Sequence, residues 1–401
     1  MVWISDMLPL NGITVLSLEH AVAAPFATRQ LADLGARVIK VERPGTGDFA
    51  RQYDDSVNGE SSYFVWLNRS KESLAIDVKT EPGQQVLRDL VERADVIVQN
   101  LGPGAAARLG LSAEEVRARD PRKIVVSVTG WGSSGPWADR KAYDLLVQCE
   151  TGLMSLTGTP DDVAKVGVSI ADIAAGMYAF SGTLAALYRR ETTGEGATIE
   201  VSLFEALAEW LGQPAHFTAG VGRQPGRFGA QHATIAPYGP FEAADGHTLL
   251  IAVQNEPEWS RFCGVVLQRP EVAEDPRFAS NTLRVAHRED VNAVITEAFA
   301  ALPTAELESR MANARIAFAG VNTVSEFLDH PVLAARDRWR TISTANGPVR
   351  ALLPPIELGT EARMGPVPAL GEHTAAILAE IGLDPSQDPT VAPPAERGTD
   401  A

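Results

Sequence analysis

Along the first half of the chain, short apolar runs alternate with amphipathic stretches. Ile13–Leu18 (ITVLSL) and Val38–Val41 (VIKV) are β-type runs, rich in branched residues and too short for helices. Between them, Pro25–Gly35 carries Phe26, Leu31 and Leu34 at helical spacing and ends in a glycine suited to a left-handed cap. This pattern predicts a β-α-β unit in a parallel sheet. It recurs downstream: Ser73–Val78 reads as a strand, Gly83–Arg93 as an amphipathic helix and Asp95–Val98 as the next strand, leading into Asn100–Gly104. Arg122–Val128 is a further strand running into the Gly-rich Thr129–Pro136, and Ala197–Val201 and Leu203–Leu211 read as a strand and a helix. Ligands of doubly wound sheets sit beyond the carboxyl ends of the strands. His20, Arg43, Asn100 and Thr129–Ser134 all follow strands and are expected on one edge.

The longest uncharged stretch follows Asp172. Val166–Tyr188 (VGVSIADIAAGMYAFSGTLAALY) brings one carboxylate to the head of sixteen uncharged residues that end at Arg189. That run is short for a bilayer, which takes about 20 residues. Its apolar and small residues on every side predict a helix buried in a core. Asp172 stands where an N-cap belongs, with the positive end of the helix dipole holding it ionised. A carboxylate fixed on a rigid buried element is equally a candidate nucleophile. The local sequence leaves both roles open.

From Pro214 the texture changes. GVGRQPGRFGAQH reads as a long loop. PYGPFEA and TLLIAV flank the turn Asp245-Gly246 and predict a hairpin, and helical stretches follow through Leu328, including Glu289–Leu302 and Thr304–Ala314. β-type sequence returns at Arg340–Leu358. The expected organisation is a large α/β domain over residues 1–213, a linker and smaller α+β domain over 214–330, a return to the large domain over 331–384, and a disordered Pro-rich tail over 385–401.

Charge and composition narrow the function. The 401 residues carry a net charge of −16, which argues against general binding to nucleic acid or anionic membrane. Two cysteines, Cys149 and Cys263, are too few for a disulfide framework, and MVWISDMLPLNG lacks the form of a signal peptide, so the cytoplasm is the expected home. The turn after the first strand reads EHAVAAP rather than G-x-G-x-x-G, against a nicotinamide enzyme even though Glu42 ends the second strand. No Gly-Lys dipeptide, G-x-S-x-G elbow or H-E-x-x-H occurs, which removes a Walker loop, a serine hydrolase elbow and a metal site of that type. What remains is one carboxylate at a helix start and basic residues after strands, a pairing that fits a large phosphorylated ligand and acyl chemistry.

The stretches LADLGARVIKVERPGTGD, NRSKESLAIDVKT, ADVIVQNLGPGAAARLGLS, TGWGSSGP and VGVSIADIAAGMYAFSGTLAALYRRETTGEGATIEVSLFEAL closely resemble the family III CoA-transferases, as do HATIAPYGPFEAADG and AGVNTVSEFLDHPVLAARDRW. The group includes formyl-CoA transferase, carnitine CoA-transferase and α-methylacyl-CoA racemase. The resemblance implies a Rossmann-like large domain built from both chain ends, an inserted small domain and an interlocked homodimer. It implies acyl-CoA and a small carboxylic acid as substrates, with no permanently bound cofactor. It places Asp172 as the nucleophile that forms an aspartyl anhydride and then an aspartyl-CoA thioester. Position by position it implies CoA contacts at His20, Ala21, Arg43, Lys79, Asn100, Leu101, Arg108 and Lys141, with only the backbone of Ala21 available. Where the racemase has a His-Asp pair, this chain has Tyr143-Asp144, which lacks the second acid–base group and favours a transferase. Where formyl-CoA transferase has a run of glycines, this chain has QHATIAPYGPF, a stiffer lid in which His232 and Tyr238 are candidates for substrate contact. Arg223 and Arg227 near the lid are read as solvated surface charges that can also pair with a second carboxylate. An acyl-CoA racemase or isomerase, and a non-catalytic CoA-binding protein, are the alternative readings.

Overall fold

The computed structural model describes residues 7–384, so the tail expected to be disordered lies outside the described residues. Two compact units emerge. One holds the described residues up to Thr151, Val166–Gly212 and the described residues from Arg336 onward; the other holds Gly152–Lys165 and Gln213–Ala335.

The first unit is built on six parallel strands. These are β1 (Thr14–Leu18), β2 (Arg37–Glu42), β3 (Lys71–Ala75), β4 (Val96–Gln99), β5 (Ile124–Thr129) and β6 (Thr198–Ser202), in the spatial order β3-β2-β1-β4-β5-β6. That is the order of a dinucleotide-type doubly wound sheet. The central strands are buried on both faces, which is why they read as unbroken apolar runs. The intervening helices are α1 (Ala23–Asp33), α2 (Ser62–Asn68), α3 (Glu81–Arg93), α4 (Ala105–Arg108), α5 (Ala113–Arg119), α6 (Asp144–Glu150), α7 (Ile170–Thr193) and α8 (Leu203–Trp210). β3 begins two residues before its predicted start because Lys71, a poor strand signal, is buried with its ammonium 2.7 Å from the buried Glu19 carboxylate.

α7 departs from the sequence reading in two ways. It runs 24 residues, past Arg189, because Arg190 pairs with Asp95 at 2.9 Å and the helix stops only at Gly194, whose φ of 77° suits glycine. It is the one described helix long and apolar enough to cross a membrane, with half of its most apolar window buried inside the protein. Nor is it buried all round. Ala171, Ala174, Ala175, Ala179 and Phe180 face the interior, whereas Met177, Tyr178 and Tyr188 are exposed. At Gly176 the helix comes so close to α1 that a Cβ would stand 2.6 Å from the Ala23 carbonyl oxygen.

α9 (Gly212–Val221) leads into the second unit and extends over Gly220 and Val221, where the predicted loop begins; Pro214 sits in its first turn, where a missing N–H is tolerated. The predicted hairpin forms from β7 (Tyr238–Glu242) and β8 (Thr248–Ala252), and β9 (Ala317–Gly320) adds antiparallel to β8. The sequence AFAG of β9 has no branched residue and a glycine, so nothing marked it as a strand. Trp259, Phe262, Phe278, Phe299 and Met311 fill the core behind this sheet. Gly152–Lys165, expected with the first domain, groups here because the Arg227 guanidinium donates to the carbonyls of Thr159 and Pro160, each at 2.7 Å. Arg336, rather than residue 331, begins the return to the first unit, where β10 (Trp339–Thr344) and β11 (Gly347–Leu352) form an antiparallel ribbon.

Candidate active site

Asp172 is not the N-cap of α7. Ser169 holds that position, without a side-chain cap bond, and Asp172 lies three residues into the helix. The free amides of the first turn are taken by Asp144, which opens α6: its Oδ1 accepts from Ala171 N at 2.7 Å and from Asp172 N at 3.4 Å. Gln148, one turn along α6, donates from Nε2 to Asp144 Oδ2 at 2.7 Å and accepts Val166 N at 3.0 Å through Oε1. Asp144 thus provides the cap that the sequence assigned to Asp172.

This exchange leaves the Asp172 carboxyl group with no hydrogen-bond donor among the described residues. Burial, and secondly the charge of Asp144, push it up from 3.8 to about 7. The expectation that the helix dipole holds it firmly ionised is therefore corrected. The dipole acts through amides that Asp144 has already engaged, and the neighbouring negative charge opposes a second one. Burial and then the charges of Asp48 and Asp172 push the Tyr53 hydroxyl up to about 12, so it remains a neutral donor at physiological pH. Tyr143 caps α6 through its backbone only, and its ring is exposed.

The turn after β1 is held from two sides. Asn100, after β4, clamps the backbone of His20: its Oδ1 accepts His20 N at 2.8 Å and its Nδ2 donates to His20 O at 2.9 Å. The next residue, Ala21, has φ 61°, a left-handed conformation unusual for a residue with a Cβ. Asp48 stabilises it, accepting Ala21 N at 3.2 Å through the same Oδ1 that accepts Ala50 N at 3.0 Å. The Ala21 amide, expected to serve CoA, is engaged within the protein.

Asp48 is wholly buried. Burial works against its charge, yet the Lys40 ammonium 2.8 Å away and further hydrogen bonds hold its carboxyl well below the ordinary range. Lys40 in turn reaches Glu19, which binds Lys71, so four fully buried charges alternate in sign beneath the turn. The His20 ring stacks on Phe49 at 5.4 Å, with Nδ1 3.8 Å from Asp48 Oδ1. The sequence reading missed Asp48, Lys40 and Glu19. One signal was available: Lys40 stands inside the apolar run VIKV and Glu19 directly follows ITVLSL, charges that only pairing can bury; Asp48, in a loop, carried no such signal.

The expected CoA cations share one property. In a chain of net charge −16, Arg43, Lys79, Arg108 and Lys141 have no carboxylate partner among the described residues. Arg43 and Lys79 follow β2 and β3, Arg108 ends α4 after β4, and Lys141 follows the loop beyond β5. Leu101 offers no free amide, since its N–H donates to Gln99 Oε1 at 2.8 Å; its side chain packs on the core.

Within the second unit, His232 and Tyr238 stack with ring centroids 5.1 Å apart, and His232 N donates to Tyr238 O. Their loop is pinned by Asn281, bonded to Thr234 O and Ala236 N, and by Arg288, which donates to Ala233 O at 3.2 Å. The loop is a tied one, and Arg227 spends its guanidinium on loop carbonyls.

A doubly wound parallel sheet with one donor-free carboxyl group at a helix start and uncompensated cations after its strands defines an α/β protein suited to setting a large anionic ligand against a carboxylate. The chain belongs to CoA-transferase family III, which it matches over residues 10–374. It is 37% identical over 331 residues to the acetyl-CoA:oxalate CoA-transferase of Acetobacter aceti, covering 82% of this chain and 85% of that one. It is 36% identical over 384 residues to the succinate–glutarate CoA-transferase of Agrobacterium fabrum, covering 93% and 96%. Among solved structures, a CaiB/BaiF family protein from Brucella suis matches with a TM-score of 0.84 and 34% identity over 94% of this chain and all of that one. A hypothetical protein from Mycobacterium tuberculosis matches with a TM-score of 0.81 and 28% identity, covering 93% and 99%. The family inferred from the motifs is the one the comparisons find.

Proposed function

We propose that this protein is an acyl-CoA:carboxylate CoA-transferase with Asp172 as nucleophile. The observation that carries the reading is the donor-free Asp172 carboxyl group at the start of α7. Its lone pairs are not committed to the fold, and removal from water makes the ionised form more reactive toward an acyl carbonyl. Family membership supplies the substrate class.

The reaction runs in four balanced steps. A carboxylate oxygen of Asp172 attacks the donor thioester carbonyl; the C–S bond breaks and CoA leaves as a thiolate, giving a mixed anhydride. The thiolate attacks the aspartyl carbonyl of that anhydride, releasing the donor acid as carboxylate and leaving an aspartyl-CoA thioester. The acceptor carboxylate then attacks this thioester, expelling the thiolate again. The thiolate attacks the acceptor acyl carbon, which yields the new acyl-CoA and restores Asp172. Arg43, Lys79, Arg108 and Lys141 supply cationic donors for CoA phosphates, and Asn100 fixes the His20 turn. His232 and Tyr238 are assigned to the substrate lid. Tyr143 stands where the racemase has its histidine, and its exposed ring leaves that position without an imidazole.

The test is mass spectrometry of CoA thioesters after incubation with succinyl-CoA or acetyl-CoA and a panel of free acids including oxalate and glutarate. Wild type is expected to form a new thioester, and Asp172→Asn and Asp172→Ala none. Substantial transfer by both variants would remove Asp172 as nucleophile; α-deuteration of a branched acyl-CoA in heavy water without an acceptor acid would point to a racemase.

A further inference from the structure

Gln148 is 1% exposed, and both ends of its carboxamide are engaged. It lies one turn after Asp144 on α6, a spacing that sets the two side chains on one helix face. The Val166 amide can only donate, so Oε1 must face it, at 3.0 Å; Nε2 is thereby turned to Asp144 Oδ2, at 2.7 Å. Asp144 Oδ1 meanwhile accepts Ala171 N and Asp172 N. Donors therefore meet both oxygens of Asp144, which favours the ionised carboxylate over the protonated acid. These donors, two amides and a carboxamide, are neutral, so they hold the charge of Asp144 without cancelling it. Val166 opens the segment that returns to the first unit and leads into α7. Gln148 thus grips the chain ahead of Asp172 and, through Asp144, the first turn of the helix that carries it.

Resting on the CoA-transferase reading, we propose that Gln148 is a positioning residue for the nucleophile: it keeps Asp144 ionised and aimed at the first turn of α7, and so sets how readily Asp172 ionises. α7 packs against α1, α6, α8, β5 and β6. The other charged groups of these elements are committed elsewhere or face solvent. Arg29 pairs with Asp33 on α1, Glu150 of α6 lies 3.8 Å from Arg140, Glu205 of α8 accepts the Ser202 hydroxyl, Glu200 of β6 accepts the Ser133 hydroxyl, and Glu209 is exposed. Asp144 is the charge that bears on Asp172, and the Tyr53 hydroxyl near it, pushed up to about 12, is neutral.

The experiment compares wild type, Gln148→Met and Gln148→Glu by two measurements. One is the pH profile of kcat/KM for CoA transfer. The other is the pH dependence of the stability difference between each protein and its Asp172→Asn derivative, which reads the Asp172 proton without needing activity. Methionine removes the donor, so Asp144 swings away or takes up a proton, and the Asp172 midpoint should fall by about half a pH unit or more. Glutamate keeps both hydrogen bonds while it shares a proton with Asp144, and adds a second negative charge as that proton leaves, so its midpoint should rise. A glutamine that merely ties two segments together would cost stability in both variants and leave the midpoints in place. In the stability measurement, a midpoint that does not fall in Gln148→Met, or does not rise in Gln148→Glu, overturns the proposal whatever the activity. Should Gln148→Met not fold, the direction in Gln148→Glu alone decides. Midpoints that move in opposite directions while wild type transfers CoA to no acid overturn the transferase reading and leave the positioning role of Gln148 standing.

Discussion

Replacing Asp144 by Asn tests how the reactivity of Asp172 is set. The carboxyl group of Asp172 is lifted from 3.8 to about 7, which at 1.36 kcal/mol per pH unit is about 4 kcal/mol in favour of its protonated form. Burial is the larger cause and the Asp144 charge the smaller. The charge therefore accounts for under about 2 kcal/mol, or up to about 1.5 pH units. Like charges about 8 Å apart interact with that order of energy at an effective dielectric of about 20. Asparagine keeps an oxygen to accept Ala171 N, so α7 stays capped while the charge is removed. Its amide nitrogen faces the Gln148 donor, and that local mismatch costs stability of about 1 kcal/mol.

The assay is the pH dependence of kcat/KM from pH 5 to 9, which reports groups of the free enzyme. Attack requires ionised Asp172, so wild-type activity rises with pH through a midpoint near 7. In Asp144→Asn that midpoint should fall by about one pH unit, raising relative activity at pH 6 and leaving the alkaline plateau in place. A midpoint that stays fixed or moves upward would refute the reasoning, because the like-charge contribution admits only a downward shift.

Two further outcomes follow from the same geometry. Asp172 binds its proton more tightly folded than unfolded, so between pH 4 and 7 the native state holds the extra proton and stability falls as pH rises; the cost of up to about 4 kcal/mol is complete above the folded value of about 7. Asp172→Asn should accordingly melt several degrees above wild type at pH 8, with the gap closing at pH 5, and an equal gap at both pH values in thermal unfolding would contradict this. Lys40→Met leaves Asp48 and Glu19 buried without their shared cation, so chemical denaturation should show a loss of about 3–5 kcal/mol. A loss below 1 kcal/mol would show that the network does not hold the turn.

The sequence by itself determined the parallel sheet, since strands buried on both faces must be continuous apolar runs separated by helices of 3.6-residue period. It also determined the family, because the ordered motifs that carry the resemblance are strings of residues, and it singled out Asp172 as the lone carboxylate heading a long uncharged helix. Tertiary structure decided who caps that helix. Asp144 and Asp172 are 28 positions apart, and no local pattern reveals that the earlier one accepts the amides of the later one's turn. The pKa of Asp172 follows from that meeting and from burial, neither of which is encoded in its neighbours. The same holds beneath the His20 turn. Glu19, Lys40, Asp48 and Lys71 each look costly in isolation and become permissible only when the fold sets opposite charges within hydrogen-bonding reach. Periodicity is a property of one segment and can be read along a line. Charge compensation is a property of pairs, and the pairs exist only once the chain has closed upon itself.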